Sequence, residues 1–240
     1  MKRLCPGLTA ALFVMLATAV TASDSPSEAE REGQQLAQQL LEQSPAEATT
    51  LSGVLSIRGI GPGQLKIPVK FQLMVTATNW QAIYQTVSNS VRPVITRLVI
   101  THDGAKGNHY ELNGSTVAPT DTAVPFAGSD FWLCDLGLEF LHWPEQKVLK
   151  KELRRSRFCT VLESTNPNPG NGNYTRVVSW IDKETDGIVH AEAYEGSQRV
   201  KVFDPKEFKK VNGQWQLEEM QMRNDETGSR TRIEFDLKKE

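Results

Sequence analysis

The chain has 240 residues, a formal net charge of −2, 39% hydrophobic and 23% charged residues. That length suits one large domain or two small ones with a sizeable core. The slightly acidic balance argues against a nucleic-acid binder, and three cysteines are too few for a disulfide-rich scaffold.

The N-terminus has the layout of a secretory signal. Met1, Lys2 and Arg3 are followed by an apolar run from Leu8 to Val20 and then by Thr21-Ala22-Ser23. The run is shorter than the ~20 residues of a membrane span. Cys5 precedes it, where no lipid-attachment cysteine belongs. The expectation is a signal peptide over 1–22 and a single exported, periplasmic domain over 23–240, whose net charge without Lys2 and Arg3 is −4.

Ser25-Pro26-Ser27-Glu28 reads as a helix start, with Ser25 as cap and Glu28 completing a capping box. Leu36, Ala37, Leu40 and Leu41 form its apolar stripe. A strand follows over about 51–60. Residues 65–77 then alternate, with Leu65, Ile67, Val69, Phe71, Leu73 and Val75 on one face. Pro68 marks an edge or a bulge there. Further strands are expected near 80–87, 94–102 and 107–113, and Gly114 to Pro125 reads as a loop.

The stretch "SDFWLCDLGLEFLHWP", residues 129–144, is apolar nearly all round. Its pattern is helical, Ser129 or Asp130 can cap it, Pro144 ends it, and Gly137 can split it in two. From Lys147 the chain returns to strands and hairpins, with breaks at Asn166 to Asn173, Asp182 to Gly187, Glu195-Gly196, Asp204-Pro205 and Asn212-Gly213. About ten strands and two or three helical segments, without α/β alternation, point to an α+β, mainly antiparallel fold. The sheet is curled into a half-open barrel with helices on its concave face.

No catalytic constellation emerges. The four histidines lack metal-ligand spacing, and no phosphate loop or nucleophile elbow is present. Cofactor and metal are expected to be none. Lys147, Lys150, Lys151, Arg154, Arg155 and Arg157 form a basic stretch. It reads either as a solvated face or as a patch for anionic headgroups. Cys134 and Cys159 are a disulfide candidate or two buried thiols. Ile67, Val69, Phe71, Leu73 and Val75 on the concave face, plugged by Phe131, Trp132, Leu136 and Phe140, would bound a hydrophobic cavity.

The C-terminal part carries "VVSWIDKETDGIVHAEAYE" and "FKKVNGQWQLEEMQMRNDETGSRTRIEFD". Trp180, Asp182 and Thr185 form a W-x-D-x-x-T turn. Gly213 and Trp215 lead to Met220 and Met222, and Thr227, Gly228, Arg230 and Thr231 form a T-G-x-R-T turn. Together with "RSRFCTVLES" around Cys159, these motifs resemble the outer-membrane lipoprotein-sorting, LolA-like proteins. The resemblance covers 130–238 well and 50–115 loosely. It implies an eleven-stranded half-barrel whose cavity shields the acyl chains of a lipoprotein or lipid crossing the periplasm. An envelope membrane protein would be a further partner, without cofactor or catalysis. The alternative on the same fold is a sensor or partner-binding module with no lipid cargo.

Overall fold

The computed structural model describes residues 25–59, 61–88, 94–170, 173–211 and 214–237. The leader expected over 1–22 and the Asn212-Gly213 turn lie outside them. Among the described residues, no helix is long and apolar enough to cross a membrane.

One helix, α1 (Glu28–Leu41), precedes six strands: β1 (Thr49–Arg58), β2 (Leu65–Val75), β3 (Trp80–Thr86), β4 (Arg97–His102), β5 (Asn108–Leu112) and β6 (Ser115–Val117). A lid segment with the short helix α2 (Leu133–Leu136) follows. The chain then forms β7 (Glu145–Arg154), β8 (Arg157–Thr165), β9 (Arg176–Asp182), β10 (Ile188–Glu195), β11 (Gln198–Val211), β12 (Gln214–Asn224) and β13 (Arg230–Phe235). All thirteen strands belong to one antiparallel sheet, in the order β6-β5-β4-β3-β2-β1-β13-β12-β11-β10-β9-β8-β7. The half-open curled sheet is thus as expected, with more strands than the ten or eleven anticipated. β6 falls inside the segment that reads as a loop.

The sheet joins its first and last strands in its middle, where Gly53 lies opposite Phe235 and Ile57 opposite Thr231. Alternation places Ile67 and Val69 of β2 in the core with Leu55, Leu98, Ile100 and Ile233. Phe126, Phe131, Leu133 and Leu136 of the lid close this cluster. A second cluster lies under α1, where Ala37, Phe140 and Leu141 pack on Leu162, Val177, Ile181 and Ala191. The outward face of the sheet has its own small apolar group of Cys159, Val161, Val178, Trp180 and Val189.

α1 begins two residues later than the sequence suggests. The Glu30 amide donates to Ser27 Oγ at 3.3 Å, and the Ser27 amide donates to Glu30 Oε2 at 2.7 Å. The S-x-x-E spacing recurs at Ser27–Glu30, and there both halves of the box are satisfied. α1 covers the free edge of β7. A β-carbon added to Gly33 would stand 2.5 Å from the Lys147 amide nitrogen, so only glycine lets the helix approach this closely.

The lid is more broken than one amphipathic helix. It consists of α2 flanked by 3₁₀ turns at Phe126–Gly128 and Glu139–His142. Gly137 ends α2, and Leu138 follows in the left-handed region at φ 50°. A side chain at Gly137 would collide with the Tyr110 hydroxyl.

Candidate functional site: a cavity under a pinned lid

Three acidic residues interrupt the apolar lid, and each fastens it to the sheet. Asp130 accepts from Thr231 Oγ1 at 2.7 Å and from Ser229 Oγ, while its amide donates to Thr231 Oγ1 at 2.9 Å. Asp135 accepts from the Trp132 amide at 2.7 Å and the Tyr174 hydroxyl at 2.9 Å, and it faces Lys201 Nζ at 3.3 Å. Glu139 accepts from the Tyr110 hydroxyl at 2.8 Å and Asn108 Nδ2 at 3.0 Å. Burial raises the Glu139 pKa, and the Tyr110 and Asn108 hydrogen bonds only partly oppose it. Gln146 adds a fourth fastening, donating to the carbonyls of Phe140 and Trp143 at 2.9 Å each.

Lys201 is the least expected member. It lies on β11 with 2% of its side chain exposed, and its ammonium is 3.5 Å from the centre of the Trp132 ring. Trp132 in turn stacks on Tyr174 with ring centres 4.7 Å apart. Burial lowers the Lys201 pKa, and the neighbouring Asp135 charge opposes that shift.

Beside this assembly a cavity of about 870 Å³ opens at one end of the half-barrel. Phe131, Leu136, Leu138 and Leu141 of the lid form one wall, and Tyr84, Phe203, Leu217 and Met220 of the sheet form another. The mouth is framed by the β7–β8 turn at Arg155-Ser156, the β9–β10 turn at Glu184 to Gly187, Pro205 and Phe208 on β11, and the end of α1. α1 is tethered there by Gln39 Nε2, which donates to Asp186 Oδ2 at 2.9 Å.

Of the residues expected to bound a cavity, Phe131 and Leu136 line this one. Ile67 and Val69 are buried in the first core cluster, with Phe71 and Leu73 packed against it. Phe71 is held between Tyr84 and Phe235, with ring centres 4.8 and 5.5 Å away. Val75 is 40% exposed at the far end of β2. Trp132 and Phe140 belong to the second cluster. The half of the sheet around β2 is therefore filled with side chains, and the open space lies towards β11 and β12. That displacement has little signature in sequence, because alternation reveals which face is apolar but not how far the side chains fill it. Phe203, Leu217 and Met220 were the available signals, as inward members of strands already recognised.

The disulfide candidate is corrected. Cys134 and Cys159 are both free. Cys134 sits in the lid against the second cluster, whereas Cys159 points into the small group on the outward face. The sheet itself separates them, and a bridge needs Cα atoms within roughly 7 Å. Burial raises the pKa of both thiols.

The motif residues hold turns and the outer surface. Asp182 accepts from Thr185 Oγ1 at 2.8 Å and Arg157 Nη1 at 2.6 Å, which ties the β9–β10 turn to β8. Trp180 donates to Glu152 Oε1 at 2.6 Å beneath the Arg154 guanidinium, 4.2 Å from its ring centre. Gly228 takes φ 68° in the last turn. Arg230 pairs in register with Arg58 and Arg223. Trp215 lies opposite Lys210 on the β11–β12 pair. Nearby, Asp204 bonds His190 Nδ1 at 2.7 Å and Arg155 at 2.8 Å. Burial alone would raise the Asp204 pKa, but His190, Arg155 and Lys206 hold it at about 2.

A protein-family model with the description "-like: Uncharacterized protein" matches residues 115–238, just over half of the chain. Among curated proteins none matches. Solved structures share the fold. A protein described as of the DUF1329 family from Desulfovibrio piger superposes with a TM-score of 0.71 at 18% identity, covering 88% of this chain and 92% of that one. A domain described as an outer membrane lipoprotein-sorting protein from Vibrio parahaemolyticus gives 0.72 at 18% identity, covering 87% and 92%. A LolA superfamily protein from Nitrosomonas europaea gives 0.57 at 12% identity, covering 88% and 93%.

Proposed function

Since the chain belongs to the family matched over residues 115–238 and carries the LolA-like curled-sheet fold, we propose that it is an acyl-chain carrier. It takes the hydrocarbon of a lipid or lipoprotein into the cavity between lid and sheet. In this reading it is an exported, periplasmic binding protein rather than an enzyme, and its cargo is in transit to the outer membrane.

The observation that carries the proposal is the cavity of about 870 Å³. It falls within the ~300–1,000 Å³ of pockets that enclose small molecules. Its lid wall is Phe131, Leu136, Leu138 and Leu141, and its sheet wall includes Phe203, Leu217 and Met220. Polar groups gather at the mouth, where Gln43, Arg155, Arg157 and Glu184 stand. Such a site suits a long apolar tail with a polar end left near water. Each methylene taken from water contributes about 0.8 kcal/mol, so affinity needs no precise hydrogen-bonding pattern.

Native mass spectrometry of the mature protein purified without detergent, followed by solvent extraction, tests this directly. A bound mass that extracts as lipid is the expected result. A clean protein mass, unchanged after incubation with phospholipid and a lipopeptide, would overturn the carrier reading and favour a partner-binding module on the same fold. Leu217→Asp places a charge on the wall and should weaken acyl binding at least about tenfold, since burying an unpaired charge costs well over 1.4 kcal/mol.

A further inference from the structure

The β7–β8 hairpin ends in an apolar pair that packs on little. Leu153 and Phe158 lie directly opposite each other across the two strands. They are 73% and 50% exposed. Leu149, in the bulge of the same edge strand, is exposed as well. Isolated exposed leucines are ordinary, but a cross-strand pair at a hairpin tip is a contiguous patch, which marks an interaction surface.

The surroundings of this pair narrow the partner. Residues 145–157 hold six basic side chains, Lys147, Lys150, Lys151, Arg154, Arg155 and Arg157, against Glu145 and Glu152. Arg155 and Arg157 rest on the buried carboxylates of Asp204 and Asp182, yet both side chains remain more than two-fifths exposed. Lys150 and Lys151 make surface ion pairs with Glu152 and Glu32, contacts that contribute little and exchange readily. The Lys183 ammonium stands 5.4 Å from the Phe158 ring. An apolar pair on a hairpin that carries this many cations complements an anionic bilayer, where apolar side chains enter the interfacial layer and nearby Lys and Arg are drawn to the surface charge.

Position supplies the second argument. Glu152 and Arg154 meet Trp180 on the outward face of the sheet. By alternation Leu153 therefore faces the lid side, and so does its partner Phe158. Arg155 and Ser156 of the connecting turn line the cavity mouth. The exposed pair thus stands immediately beside the polar rim of the cavity.

We infer that the tip of the β7–β8 hairpin, Leu153 and Phe158 with their flanking cations, docks on an anionic lipid surface. There the cavity mouth meets the bilayer, and an acyl chain passes between them with little contact with water. The inference rests on the acyl-chain reading of the cavity for its purpose, but docking is measured separately from loading.

The test is flotation of the full mature chain with vesicles of phosphatidylethanolamine and phosphatidylglycerol, alongside vesicles of phosphatidylcholine alone. Wild type should float with the anionic vesicles at low salt, less so at high salt, and poorly with phosphatidylcholine. Leu153→Asp with Phe158→Asp should lose at least about tenfold in vesicle affinity, since two apolar side chains no longer insert. Both positions are exposed, so the fold should persist, and circular dichroism checks this. Leu153→Ala with Phe158→Ala should give a smaller loss in the same direction. Absence of wild-type binding to anionic vesicles overturns the inference, as does binding indifferent to lipid charge or undiminished in the aspartate variant. Capture of an acidic protein or self-association through the tip, without vesicle binding, also overturns it. Failure of the carrier reading looks different: an empty mass with vesicle binding retained. Failure of the docking surface is a loaded mass with no vesicle binding.

Discussion

The Lys201 ammonium and the Asp135 carboxylate stand 3.3 Å apart, almost wholly shielded from water, one on the sheet and the other on the lid. A buried pair of this kind is weak evidence for stability as such, because desolvation consumes most of the attraction. Removing one partner is different, since the other is left charged and alone. Lys201→Met should destabilise the protein by about 3–5 kcal/mol. Lys201→Met with Asp135→Asn should recover most of that, because the amide keeps an acceptor for Trp132 and Tyr174 without the charge. Urea unfolding of the two variants decides it, and a double variant as weak as the single would show that the pair's charges are not the cause.

At the edge of the sheet, Gly33 is the contact that seats α1 on β7. Gly33→Val must push the helix off the strand, because the obstruction is backbone rather than a movable side chain. The expected loss exceeds about 2 kcal/mol, in the range of overpacked cores. Hydrogen exchange should accelerate selectively in 145–154. Unchanged protection there would mean that the helix does not guard that edge.

His102 should make the protein sensitive to mild acid. Its ring stacks on Trp80 with centres 3.7 Å apart. Burial first, and then the charge of His142, lower its pKa from 6.5 to about 4. The unfolded chain takes up a proton below 6.5 while the folded ring stays neutral down to about 4. Stability from this group is therefore complete above 6.5 and declines as pH falls to about 4, by at most about 3 kcal/mol. Denaturation midpoints between pH 7 and pH 4 should show that fall, and His102→Gln should flatten it. An equal slope in the variant would assign the acid sensitivity elsewhere.

The cysteines give a simple chemical readout. In the native protein both thiols should react slowly with iodoacetamide, since burial raises the pKa of each. After unfolding without reductant, a chain of residues 23–240 should take up two labels, one each at Cys134 and Cys159. A mass two hydrogens lighter and resistant to alkylation would establish a bridge instead.

Much of the architecture is readable from the residues. Strict alternation over 65–75 identifies β2 and its buried face, and turn residues place several of the hairpins, because strand pairing follows local rules of period and turn chemistry. The β7–β8 turn carries no such signal, and the break expected at Asp204-Pro205 is an irregularity within β11. The lid was legible as an apolar segment split at Gly137. Its fastening was not, since Asp130, Asp135 and Glu139 find their partners on β5, β11 and β13, far away in the chain. Lys201 illustrates the limit best. In "RVKVFD" it looks like the wet face of an alternating strand, and only the curl of the sheet brings it beneath Trp132. Cys134 and Cys159 show another limit: the sequence leaves a bridge and two buried thiols equally open, and only the fold puts a sheet between them. The face of β2 expected to bound a cavity is packed, with Phe71 between Tyr84 and Phe235, and the open space lies towards β11 and β12.

The two ends of the strand order, β6 and β7, are also consecutive in the chain, and the lid is the stretch that joins them. A sealed barrel has a circumference set by its ladder bonds, and widening it means breaking some. This sheet is a scroll, and its girth is set by a strap. Loosening the strap uncovers Phe126, Phe131, Leu133 and Leu136 and breaks the fastenings of Asp130, Asp135 and Glu139, but every strand keeps its neighbours. The girth of the scroll can therefore change without breaking a single ladder, and what resists the change is the packing of the lid alone.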